Sequence, residues 1–69
     1  MKLHTLVDTP NGRGYVQGRI VHKDGSELVL VSHGRRLERL VSNGVEVAPY
    51  RNGIWTLYAY PLDSVEIVV

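Results

Sequence analysis

The sequence predicts an all-β fold, a five-stranded small barrel, from three observations. Turn signals recur at short intervals along the 69 residues, the spacing of an all-β barrel or sandwich. Thr9-Pro10-Asn11-Gly12-Arg13-Gly14 reads as a tight turn feeding a long strand, with Pro10 fixing φ and Gly12 and Gly14 able to supply positive φ. That strand carries Gly18 in its middle, where a glycine marks a bulge, a sharp bend or a close backbone approach. A short sheet needs such a bend to curl onto itself.

The elements follow in order. Leu3 to Asp8 reads as the first strand, with Leu3, Thr5 and Val7 on one face. Tyr15 to Lys23 is the second. Val16, Gly18, Ile20 and His22 alternate there with Tyr15, Gln17, Arg19 and Val21, and a bulge near Gly18 explains why Val21 breaks the pattern. Asp24-Gly25 signals a two-residue hairpin of the primed type. Glu27 to Ser32 is the third strand. Its run Leu28-Val29-Leu30-Val31 is apolar on both faces, so its second face needs a cover from a loop, a short helix or another subunit. Around residues 35–42, Leu37, Leu40 and Val41 have i, i+3, i+4 spacing, and Gly44 lies just beyond. That favours a short helix or helical turn over an extended arm. Val45 to Tyr50 and Ile54 to Tyr60 form a hairpin about Asn52-Gly53. Pro49 cannot donate to a ladder, which makes the first of these an edge strand. Tyr60 to Ser64 reads as a connector with one 3₁₀ turn, and Val65 to Val69 as the strand that closes the barrel against the first.

Residues 1–69 make one domain, and a chain of this length buries only about 60% of its unfolded surface. There is no cysteine, hence no disulfide and no thiolate zinc site. No apolar run is long enough to span a bilayer, and residues 1–6 lack the pattern of a secretory signal, so the cytoplasm is the default expectation. The net charge of +1 is too small to imply nucleic-acid binding from bulk electrostatics.

The order of strand, glycine-containing turn, bent strand, hairpin, 3₁₀ turn and short last strand resembles the SH3-like small barrel. The turn Thr9 to Gly14 resembles the opening of KOW-type barrels. Gln17-Gly18-Arg19-Ile20-Val21 and Tyr60-Pro61-Leu62-Asp63-Ser64-Val65-Glu66 are similar to stretches of plasmid-encoded type II dihydrofolate reductases, which share that fold. In those enzymes a Val-Gln-Ile-Tyr strand lines the pore of a tetramer, and its glutamine binds the ligands. Leu57-Tyr58-Ala59-Tyr60 stands in that place here. Tyr58 replaces the glutamine, so the resemblance implies the barrel and does not carry over folate or nicotinamide binding.

No catalytic constellation emerges. His4, His22 and His33 match no metal-binding spacing, and none of Ser26, Ser32, Ser42 and Ser64 sits in a Gly-x-Ser-x-Gly elbow. The expectation is a protein that is not an enzyme and has no cofactor or metal. Four tyrosines and one tryptophan in a chain without phenylalanine suit binding, because a tyrosine ring packs while its hydroxyl stays wet. The simplest partition puts Trp55 and Leu57 in the core and Tyr58 and Tyr60 on an accessible face, near Tyr15. With Arg13 and Arg19 these tyrosines form the candidate binding face, and Arg35, Arg36 and Arg39 form a second basic cluster. The leading expectation is a non-catalytic binding module that associates with a protein partner or with itself. The alternative is a nucleic-acid-binding accessory protein stacking bases on a Tyr/Arg face. The remote alternative is an enzyme like the type II reductases.

Overall fold

The three-dimensional description is a computed structural model and covers residues 2–35, 37–41, 44–50 and 55–69, with the side chains of 48–50 and 55 left aside. Arg36, the Asn52-Gly53 turn and the Trp55 side chain lie outside the described residues. The fold is all-β, a single antiparallel sheet. Its strands are β1 (Leu6–Thr9), β2 (Gly12–Val21), β3 (Glu27–Ser32), β4 (Val45–Tyr50), β5 (Trp55–Pro61) and β6 (Glu66–Ile67), with one 3₁₀ turn at Leu62–Ser64. The spatial order is β4-β5-β3-β2-β1-β6.

Two features depart from the expected barrel. The six strands correspond to the six segments read from the sequence, one more than a five-stranded barrel has, and the sheet is not closed: β4 is bonded to β5 alone and β6 to β1 alone, with no ladder between them among the described residues. β6 does close on the first strand as expected, but its two residues are too few to reach further. Among the described residues of the 35–42 range there is also no helix or helical turn, contrary to expectation. The described residues 35 and 37–41 form an irregular arm, because the backbone N–H groups of Leu37 and Val41 are taken by the side chains of Tyr58 on β5 and of Asn11 between β1 and β2 rather than by a preceding turn.

The turns show why these residues bend where they do. Pro10 and Asn11 are the two residues between paired Thr9 and Gly12. The Thr9 hydroxyl donates to the Gly12 carbonyl at 2.7 Å and accepts from the Asn11 N–H at 3.1 Å. The first strand begins at Leu6, not Leu3, because His4 is left-handed (φ 65°) and the Thr5 N–H closes a turn onto the Lys2 carbonyl. The second hairpin has a three-residue loop instead of the expected primed two-residue turn. Its N–H donors are Gly25, onto His22 O at 3.0 Å, and His22, onto Ser26 O at 2.9 Å. Gly25 takes φ 90° while Lys23 and Asp24 do not have positive φ. That is a tight turn closed by a left-handed glycine.

Asp24 organises this loop. The Ser26 N–H donates to Asp24 Oδ1 at 2.9 Å, and the Ser26 hydroxyl at 2.7 Å. These bonds hold the Asp24 carboxyl below its ordinary value, the backbone bond most strongly. A lowered folded pKa places the resulting stability above the ordinary carboxylate range, and it is lost as pH falls through the folded value. Asp24→Ala is therefore expected to be less stable than the parent at neutral pH and to converge with it in strong acid. Thermal melts across that range check this, and parallel curves for the two proteins would contradict it.

The bulge expected near Gly18 is present: register shifts between the Val16–Val31 and Gly18–Leu30 pairs. A second shift lies between Glu46 and Ala48 on β4. The core lies on one face of the sheet. Val7, Val16, Val29, Val31, Tyr58, Tyr60 and Val65 are buried together, with Leu37 of the arm packed against them.

Candidate functional site

The tyrosine pair sits opposite to the expected side. Tyr58 and Tyr60 are both 0% exposed and are the largest fully buried side chains among the described residues. Register explains the placement. Val31 is directly opposite Val16 and Tyr58, and Val29 is opposite Tyr60, so the tyrosines share the valine face. Leu57, expected in the core, lies on the other face and is half-buried.

Burial of both phenols is tolerated because each hydroxyl is bonded. The Leu37 N–H donates to Tyr58 Oη at 2.8 Å. Tyr60 Oη lies 2.8 Å from His33 Nε2 and accepts from Asn11 Nδ2 at 3.1 Å. His33 Nδ1 faces the Arg13 carbonyl oxygen at 2.9 Å. A carbonyl only accepts, so the bonding assigns the ring hydrogen to Nδ1 and leaves Nε2 to accept from the Tyr60 hydroxyl. The Val41 N–H donates to Asn11 Oδ1. The imidazole meets Tyr58 and Tyr60 edge-on, with centroids 5.6 and 5.9 Å apart. His33 and Asn11 thus strap the arm over the tyrosines.

The bulge splits the remaining candidates. Before it, Arg13 and Tyr15 alternate with buried Val16; after it, Arg19 falls opposite Val29. Arg13 and Tyr15 therefore project from the open face and Arg19 from the tyrosine face, so no single surface joins them. Each arginine has an ion-pair partner at 3.2 Å, the exposed Asp8 for Arg13 and the half-buried Glu27 for Arg19. Arg35 and Arg39 are exposed on the arm with Glu38 between them. A depression of about 550 Å³ beside the arm is edged by Glu38 and Glu46, together with Leu37 and Leu40. These carboxylates oppose phosphate there.

The second face of the sheet is accessible in part: Tyr15, Ile20 and Val45 are exposed, Leu6, Leu28, Leu30 and Leu57 are half-buried, and Ser32 and Ala59 are buried. Tyr15 is 52% exposed. With Leu6, Arg13, Gly14, His33 and Gly34 it lines an open groove of about 350 Å³. From there the face runs across the sheet in register. One row is Leu6, Tyr15, Ser32 and Leu57. The next is Gly18, Leu30, Ala59 and Val45. The third is Ile20, Leu28 and Pro61. No charged residue stands in these three rows.

Among the described residues, no three of His, Asp and Glu converge on a point that could hold a metal ion. No helix among them is long and apolar enough to cross a membrane. Comparison with protein-family models, curated proteins and solved structures finds no match.

Proposed function

We propose that this chain is a small non-catalytic binding module with SH3-like element order, acting through the open face of its sheet, whose three central rows carry no charged residue. One observation carries the reading: on the sheet face opposite the valine–tyrosine core, Tyr15, Ile20 and Val45 are exposed and Leu6, Leu28, Leu30 and Leu57 are half-buried, in register with one another. The long bulged second strand, and the 3₁₀ turn before a short last strand paired with the first, support the SH3-like placement. The nucleic-acid alternative is weakened, because its two central tyrosines are buried and its arginines are paired and divided between faces.

The neighbours Leu30 and Val31 test this reading, since they point to opposite faces of one strand. Val31→Gln is expected to cost about 2–3 kcal/mol, because it buries an amide without partners. Leu30→Gln is expected to cost about 1 kcal/mol or less, since the amide reaches water. Urea unfolding of both variants measures the contrast. Equal losses would make Leu30 a core residue and remove the binding face.

A further inference from the structure

We infer that the arm is a proton-operated latch: a hydrogen-bonded chain from Val41 to Arg13 holds it closed, and a proton taken up by His33 breaks that chain. Backbone groups of fixed character stand at both ends. The Val41 N–H can only donate, so it makes Asn11 Oδ1 the acceptor and turns Asn11 Nδ2 toward Tyr60 Oη, at 3.1 Å. The Arg13 carbonyl can only accept, so it makes His33 Nδ1, at 2.9 Å, the donor. Between these ends the Tyr60 hydroxyl has a single hydrogen to give. Asn11 Nδ2 already donates to its oxygen, so that hydrogen goes to His33 Nε2 at 2.8 Å. Nε2 must therefore be bare. The closed chain admits only a neutral imidazole with its hydrogen on Nδ1.

A proton on Nε2 has no place in this arrangement. Nε2–H and Nδ2–H would both point at the Tyr60 oxygen, and the hydroxyl hydrogen would lose its acceptor. It cannot turn to water, since Tyr60 is 0% exposed. Gly44 closes the other side, where a Cβ would lie 2.8 Å from both Tyr60 Cε1 and Asn11 Nδ2. The hydroxyl regains an acceptor if the Asn11 amide turns over and offers its oxygen. Nδ2 then faces the Val41 N–H, donor against donor, and the arm comes off at Val41. The Leu37 end is held separately, at Tyr58 Oη. Leu40, next to Val41, edges the depression beside the arm, so the latch sets the shape of that surface. The proton has a way in, because His33 is half-buried and lines the open groove with Arg13 and Tyr15. The titratable and charged groups about the ring are Tyr58 and Tyr60 on β5, Arg13 on β2 with its partner Asp8 on β1, Arg35 further along the arm, and Glu46 of β4, opposite Tyr58. They set the pH at which the proton arrives; the bonding sets what it does. The closed arm binds one proton fewer than the open arm, so falling pH favours opening.

Amide hydrogen exchange of the full chain, read residue by residue by NMR and corrected for the pH dependence of intrinsic exchange, tests the latch. The window is about pH 8 to pH 5, where imidazoles change charge. Across it, protection of the Val41 N–H is expected to fall by about tenfold or more, the loss of one hydrogen bond. Val29 and Val31, in the sheet interior between β2 and β5, are expected to keep theirs. His33→Gln offers a carbonyl oxygen to the Tyr60 hydroxyl and takes no proton, so it is expected to hold Val41 equally at both ends of the window. Asn11→Asp is expected to invert the response. Its carboxylate accepts from the Val41 N–H and the Tyr60 hydroxyl together, which leaves the Tyr60 oxygen to accept from a protonated Nε2, so the arm is held more tightly at the acid end. Unchanged Val41 protection in the parent would overturn the inference. So would a response that survives His33→Gln, or one of the parent's sign in Asn11→Asp. An equal loss at Val29 and Val31 would overturn it too, because the whole sheet would then be opening.

Discussion

Tyr60→Ala is expected to lower the free energy of unfolding by about 3–5 kcal/mol, the range for a deleted buried aromatic. Two losses combine. The cavity replaces the ring that lies against His33, and the missing hydroxyl takes the hydrogen-bond partner from His33 Nε2 and one hydrogen bond from Asn11. Tyr60→Phe separates these losses. It keeps the ring and is expected to cost about 1–3 kcal/mol, the desolvation of the His33 nitrogen that loses its partner. Urea unfolding of both variants is the measurement. A cost below about 1 kcal/mol for Tyr60→Ala, the range of surface substitutions, would mean that the ring lies at the surface.

Gly14→Val is expected to cost about 3 kcal/mol or more, at the upper end for an overpacked core. A Cβ at Gly14 would lie 2.5 Å from Val31 Cγ1 and 2.6 Å from the Ser32 carbonyl oxygen. The second neighbour is backbone, which cannot turn aside as a side chain can. The requirement at Gly14 is for space: its φ is not positive, unlike that of Gly12. Gly18 makes the control. Its Cβ would meet only Leu30 Cδ1 at an ordinary 3.5 Å. Gly18→Ala is therefore expected to be neutral, or stabilising by about 0.5 kcal/mol through reduced freedom of the unfolded chain. The bend at Gly18 is real, but it does not require a glycine. Thermal melts of the two variants side by side give the answer, and equal melting temperatures would contradict it.

Much of the fold was legible in the residues. Pro10, Asn11 and Gly12 make a tight turn wherever they stand between two apolar segments, because Pro10 sets its own φ and Gly12 tolerates φ 106°. Pro49 marked an edge strand, because a missing N–H is a local fact. The bulge beside Gly18 was legible from the broken alternation at Val21. The faces of the tyrosines were not. Hydropathy ranks Leu57 above Tyr58, and that ranking reverses only when Tyr58 finds the N–H of Leu37, 21 residues back, and Tyr60 finds His33, 27 residues back. Asn11 and His33 were missed as organising residues for the same reason: nothing near them in the chain marks the partners they hold.

The order of amino acids by itself determined the all-β class, the positions of the turns and the paired strands, since these rest on backbone freedom and on alternation over a few neighbouring residues. Only the tertiary structure decided which face is core, how far the sheet closes and whether residues 37–41 coil into a helix. Those outcomes depend on which distant groups satisfy buried donors and acceptors. A hydrogen bond between residues far apart in the chain leaves no trace in the local pattern of either one.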